Sequence, residues 1–92
     1  MRERVVESAL VRKAEGRGVW AVKLTVLGHA GFPDRLCLAP GGRVVFVELK
    51  RPGGAPRALQ RWVHRRLRDL GFRVAVIDSP AAAVAFFDEW LR

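Results

Sequence analysis

The stretch Arg43-Val-Val-Phe-Val-Glu-Leu-Lys50 constrains this chain more than any other. Val44 to Val47 is apolar at every position, so neither face of a strand built from it can be left in water. Such a strand is central, covered on both sides. The run then closes on Glu48-Leu49-Lys50, and the two-residue period of a strand puts Glu48 and Lys50 on one face with Leu49 on the other. Burial alone gives no reason for two charges at the end of a core strand.

The flanking segments supply what that strand needs. Glu3 to about Glu15 reads as a helix with Val5, Val6, Ala9 and Leu10 at spacings of three and four, stopped by Gly16 and Gly18. Val19 to Val26 reads as a strand with Trp20, Val22, Leu24 and Val26 on one face, followed by a glycine-containing loop to Pro33. Asp34 to Ala39 is a short strand, and Pro40-Gly41-Gly42 is the hairpin turn into Arg43–Lys50. Pro56 suits the first turn of a helix reaching Leu70, with Leu59, Trp62, Val63, Leu67 and Leu70 as its buried stripe and Gly71 as its stop. Arg73 to Asp78 is a strand reached across the sheet by that helix, hence parallel to its predecessor. Ser79-Pro80 caps and opens a last helix. The order is α-β-β-β-α-β-α: an α/β fold with a mixed sheet flanked by helices, forming a single domain over residues 1–92.

Charge narrows the partners. Lys+Arg number 17 against 9 Asp+Glu, a net +8, on a chain that is 50% hydrophobic and so too apolar for a disordered basic tail. A folded domain with that excess points to a polyanion, either nucleic acid or an anionic membrane surface. Arg57, Arg61, Arg65 and Arg68 fall on one side of the second helix with no acid among them before Asp69. Their mutual repulsion is relieved by phosphates. The membrane reading fails because neighbouring strands need that helix's apolar face. Arg51 follows the charged strand end and is placed to hold a nucleic-acid strand. One cysteine, Cys37, excludes an intrachain disulfide, and with two histidines it makes no convincing structural zinc site. The longest apolar run, Ala81 to Phe87, is too short for a bilayer span, and Met1-Arg-Glu-Arg opens no secretory signal, so a cytoplasmic location is expected.

Chemistry converges on one sheet edge. If the strands pair antiparallel about Pro40-Gly41-Gly42, Asp34 falls roughly opposite 48 to 50, and two carboxylates meet an ammonium. Two carboxylates in mutual reach repel unless a cation lies between them, and hard oxygen ligands select Mg²⁺ or Mn²⁺. A metal there would polarise a phosphoryl oxygen, and Lys50 would orient a water or stabilise charge on the phosphate. Gly31 and Pro33 fix the approach of Asp34.

Glu7 in the first helix, Gly31-Phe32-Pro33-Asp34, Val45-Phe46-Val47-Glu48-Leu49-Lys50-Arg51-Pro52-Gly53-Gly54, Gln60 in the basic helix and Leu70-Gly71-Phe72-Arg73-Val74 together resemble the VRR-Nuc domain. This is the virus-type replication-repair nuclease branch of the PD-(D/E)xK superfamily, and the short chain is similar to its stand-alone phage and bacterial members. The resemblance implies a restriction-endonuclease-like fold and a metal-dependent DNA endonuclease. It further implies a homodimer cutting four-way (Holliday) junctions. On that resemblance Asp34 and Glu48 are metal ligands, Lys50 is the catalytic lysine, and the Leu49 backbone carbonyl completes the metal shell. Glu7 would join in metal or water binding, and Gln60 would support the lysine or a phosphate.

Two rivals remain: a flap, nicking or general duplex endonuclease, and a non-catalytic module that binds DNA through its basic helix. His29 is expected at the surface, His64 at the helix margin, and Trp20, Trp62 and Trp90 in the core or an interface. Val84, Phe86, Phe87, Trp90 and Leu91 give the last helix a wide apolar surface, suggesting that it or an edge strand meets a second copy.

Overall fold

The computed structural model describes residues 1–92. Its elements are α1 (Glu3–Gly16), β1 (Trp20–Lys23), β2 (Arg35–Ala39), β3 (Arg43–Leu49), α2 (Ala58–Asp69), β4 (Arg73–Ile77) and α3 (Pro80–Trp90). The four strands lie in the order β1-β2-β3-β4. The first three run antiparallel to their neighbours, while β3 and β4 are parallel, with α2 as the crossover. The strand that could not face water is therefore central, as its composition required, although Val44 near its start stays exposed because α2 does not reach it.

Alternation along β3 builds two unlike layers. Val45, Val47 and Leu49 join Cys37 and Ile77 in a fully apolar core closed by Val6, Leu10 and Ala14 of α1 and by Ala83 and Phe87 of α3. On the opposite face Phe46 packs with Val63 and Leu67 of α2, Val74 of β4 and Phe32. Glu48 shares that second face and lies under α2. The Ser79 hydroxyl accepts from the Ala82 amide at 3.0 Å and Pro80 occupies the first turn, which starts α3 where the sequence signals it.

Three expectations are corrected. β1 ends at Lys23 rather than Val26, although the Leu24 amide still donates to the Asp34 carbonyl at 2.9 Å. Trp20 is 70% exposed, because β1 is an edge strand and α2 covers β3 and β4 instead. Pro56 lies ahead of α2, not in its first turn: the Gln60 side chain accepts from the Arg57 amide at 2.8 Å and makes Arg57 the N-cap.

A fourth correction matters most. The buried side of α2 is Gln60, Val63, His64 and Leu67, while Leu59, Trp62 and Leu70 are exposed. The helix is rotated so that two polar side chains, rather than two apolar ones, cover Glu48. The last helix, by contrast, spends most of its apolar surface internally. Phe87 is buried, Phe86, Trp90 and Leu91 pack against the main core, and Val84 alone of the five is exposed. No helix is long and apolar enough to cross a membrane.

Candidate active site

Asp34 and Glu48 meet at the β2–β3 edge because Arg35 pairs with Val47, which sets residue 34 across from residue 48. The Asp34 Oδ2 accepts from the Leu49 amide at 2.8 Å, and its own carbonyl accepts from Leu24. Pro33, buried immediately before it, holds the entry of the chain. Asp34 is thus anchored at both its backbone and its carboxylate.

Glu48 is 1% exposed. Its Oε2 accepts from Gln60 Nε2 at 3.1 Å and lies 3.3 Å from Lys50 Nζ. Its Oε1 has no hydrogen-bond partner. Burial, reinforced by the Asp34 charge, pushes the Glu48 carboxyl up to about 7, with Lys50 pulling in the other direction. A buried carboxylate with one bare oxygen and a second carboxylate nearby is short of positive charge. That deficit, together with an all-oxygen donor set, fits a hard divalent cation held by Asp34 and Glu48. No group of three or more His, Cys, Asp or Glu side chains converges closely enough to hold a metal unaided. Backbone or solvent oxygens would have to complete the shell.

Lys50 follows the last residue of β3. Its backbone amide donates to the Ile77 carbonyl at 3.0 Å, so β4 fixes where the side chain starts. Its Nζ donates to Gln60 Oε1 at 3.0 Å. Gln60 therefore uses both ends of its amide: the oxygen accepts from Lys50 and from the Arg57 amide, and the nitrogen donates to Glu48. A flipped amide would set donor against donor at Lys50, so the network fixes its orientation.

His64, expected at the helix margin, lies inside the site. It is buried, with Nε2 3.6 Å from Glu48 Oε1, beyond hydrogen-bond reach. Burial, aided by the positive charges of Arg68 and Lys50, lowers its pKa, so it is neutral and the contact is no ion pair. Gln60 and His64 are one helical turn apart and share a face. That i, i+4 spacing is the signal that could have placed His64 in the site.

Glu7 pairs with Arg35, the residue after Asp34. Its Oε2 accepts from Arg35 Nη2 at 3.1 Å and Nε at 3.3 Å, and Arg35 also donates to the Ala21 carbonyl at 3.2 Å. Arg35 is opposite Val47 and shares its face under α1, whereas Glu48, the next residue along, projects to the α2 face. Glu7 is thus held by the residue next to Asp34, on the α1 side of the sheet, and does not group with Asp34 and Glu48 as three carboxylates.

The arginines divide in the same way. Arg61, Arg65 and Arg68 line an open groove of about 470 Å³ with Pro56, His64, Asp69 and Val76. His64, whose Nε2 lies near Glu48 Oε1, is also among the residues lining this groove. Arg61 Nη1 donates to the Pro56 carbonyl at 2.6 Å and Arg68 Nη2 to the Val74 carbonyl at 2.9 Å, which orders both guanidinium groups. Arg51 and Arg57 are exposed but outside the groove. Lys23 is exposed on the edge strand.

No family model matches the chain. A phage protein named "Putative nuclease p44", from Acyrthosiphon pisum secondary endosymbiont phage 1, is 42% identical over 79 residues, covering 86% of this chain and 85% of its own. A solved structure described as a VRR_NUC domain superposes with a TM-score of 0.89 at 29% identity, over 96% of both chains. The carboxylate pair and lysine stand at the end of a central strand, in a fold shared nearly end to end with that domain. The chain belongs to the VRR-Nuc family of nuclease domains.

Proposed function

We propose that this domain is a Mg²⁺- or Mn²⁺-dependent DNA endonuclease selective for branched DNA, with a four-way junction as its preferred substrate. The observation that carries the endonuclease reading is Glu48: fully buried, bare at Oε1, and raised to about 7 beside Asp34; the choice of branched DNA rests on the resemblance to the VRR-Nuc family alone. A DNA-binding module has no use for a buried, half-satisfied carboxylate under a basic helix, so the non-catalytic rival fares worse.

Asp34 and Glu48 would hold the ion, with the Leu49 carbonyl as a further ligand. Glu7 would join only by giving up Arg35. The ion, when bound, supplies Lewis-acid polarisation of a phosphate oxygen and a more acidic water. Lys50, steered by Gln60, orients the attacking water and neutralises charge that builds on the phosphate. The Arg61–Arg65–Arg68 groove takes the DNA backbone, and Arg51 and Arg57 extend that contact beyond it. Two copies acting together would suit a junction of near two-fold symmetry. With α3 largely used internally, the face for a second copy is better sought at Trp20, Leu38 and Val44. These are neighbours across β1, β2 and β3, on a sheet face that α2 leaves partly open.

The test is cleavage of labelled four-way junction, flap, linear duplex and single strand with Mn²⁺ or Mg²⁺, and with EDTA. Paired symmetric cuts in the junction, lost with EDTA and reduced about 10²- to 10⁴-fold in Lys50→Ala, are expected. Equal cutting of every duplex would keep the nuclease and discard the junction. Tight binding with no cutting under any metal would reject the endonuclease.

A further inference from the structure

Trp62 is 47% exposed on α2, with Leu59 and Leu70 exposed beside it. Leaving an indole in water on a helix that has a buried face available forgoes a large burial gain. The surroundings of this indole are organised. The His29 ring lies parallel to it, with an interplanar angle of 6° and centroids 5.9 Å apart. Phe32 meets His29 edge-on at 5.6 Å, and the Arg66 guanidinium lies over the indole, 5.7 Å from its centroid. These side chains border an open, mostly apolar cleft of about 240 Å³. That is below the roughly 300–1,000 Å³ of pockets for drug-sized ligands and suits one flat ring.

The cleft is tied to the active site through the loop that ends at Asp34. Gly31, at φ 95°, is pressed so closely on α2 that a Cβ there would lie 2.9 Å from Leu59 Cγ and 3.0 Å from Val63 Cγ2. His29 and Phe32 thus belong to the same short, clamped segment as Asp34. Across α2, Gln60 reaches into the site while Trp62, two residues on, faces away from it. Site and cleft flank one helix, and that helix carries the arginine groove.

The geometry points to the cleft as a subsite for an unpaired nucleobase of the bound DNA, packed against Trp62 between the His29 and Arg66 side chains that border the cleft. The inference rests on the DNA endonuclease reading and deepens it. An aromatic face accepts any base, since every base has a π face, and an adjacent guanidinium matches both that π system and the nearby backbone phosphate. Bases within a duplex are already stacked and cannot enter. Trp62 would then be a specificity residue, favouring DNA whose strands are splayed at a branch over continuous duplex.

The test is fluorescence anisotropy in EDTA, so that no strand is cut, on a branched DNA with two unpaired nucleotides, its abasic counterpart and a linear duplex. Wild type, Trp62→Ala and Trp62→Phe are compared, with sedimentation of each. The unpaired bases should strengthen binding about tenfold in wild type, most of that in Trp62→Phe, and less than twofold in Trp62→Ala. Equal worth of the bases in Trp62→Ala and wild type would overturn the subsite. So would a loss in Trp62→Ala as large on duplex as on branched DNA. A dimeric wild type turned monomeric by Trp62→Ala would also overturn it, assigning the cleft to a second copy instead. Cleavage with Mn²⁺, measured in parallel, keeps the two readings apart: a protein that cuts nothing fails as a nuclease while the base-dependent binding is still judged by the anisotropy.

Discussion

The two faces of the sheet are made from the same strands and do opposite things. Under α1 and α3 the layer is dry: Val45, Val47, Leu49, Cys37 and Phe87 belong to one buried apolar cluster, and the Cys37 thiol is pushed up to about 11 by burial. Under α2 only Val63, Leu67 and Val74 form a buried apolar cluster, and beside it lie Glu48, Gln60 and His64, all buried and polar. One face contributes stability that the other gives up. The alternation of β3 makes this possible, because adjacent residues such as Val47 and Glu48 answer to different layers.

The largest effect that can break this division comes from the dry side. Phe87→Ala should cost about 3–5 kcal/mol, a large part of the total of about 5–15 kcal/mol available to a small domain. Chemical denaturation should show the midpoint falling steeply. Lys50→Ala on the other face, which takes a partner from Gln60 and the buried Glu48, should cost less, about 1–3 kcal/mol, while reducing cleavage about 10²- to 10⁴-fold. If the Lys50 variant instead unfolds with the Phe87 variant, the two layers share one stability and the division is false.

How much of this the residues declare in advance differs between the layers for a physical reason. The meeting of Asp34 with Glu48 follows from a two-residue period and a short turn, both local, so it is legible in the chain. The parallel pairing of β4 follows as well, since a helix intervenes. The rotation of α2 does not. Leu59, Trp62 and Leu70 have helical spacing and would serve as a stripe by any one-dimensional rule, yet the helix buries Gln60 and His64. What decides between the two faces is Glu48, which lies in a different segment and supplies a partner for Gln60. The pairing of Glu7 with Arg35 is hidden in the same way, because nothing in either segment names the other.

A middle-sized effect sharpens the comparison by asking what the buried carboxylate costs. Glu48 titrates near 7 in the folded chain and at its ordinary value of 4.5 when unfolded. Between those pH values the folded protein keeps a proton that the unfolded chain has lost, so stability falls as pH rises through this window and levels off above it. Glutamine cannot ionise and escapes the penalty. In EDTA, Glu48→Gln should therefore match wild type below about pH 4.5 and exceed it above pH 7 by on the order of 1–3 kcal/mol. It should also lose cleavage. Denaturation of both proteins from pH 4 to 8 gives the difference curve. A variant less stable than wild type at pH 8 would mean that the Lys50 ion pair outweighs burial, and the α2 face would then not be the costly one.

The smallest effect concerns the groove beside His64. Arg65 has no hydrogen-bond or ion-pair partner, unlike Arg61 and Arg68, which are tied to backbone carbonyls. Its removal exposes nothing and breaks nothing within the fold, so Arg65→Ala should leave stability within about 0.5 kcal/mol of wild type. Its charge matters only to a bound polyanion. If it contacts a phosphate, affinity should fall by a similar factor on every DNA tested, and the slope of log affinity against log salt should shrink by about one. Binding measured from low to moderate salt in EDTA reads both quantities. An unchanged slope would remove Arg65 from the DNA contact and leave the groove to the two arginines already held in place. The active face would then owe its grip to side chains the fold has ordered beforehand, as the dry face owes its stability to packing.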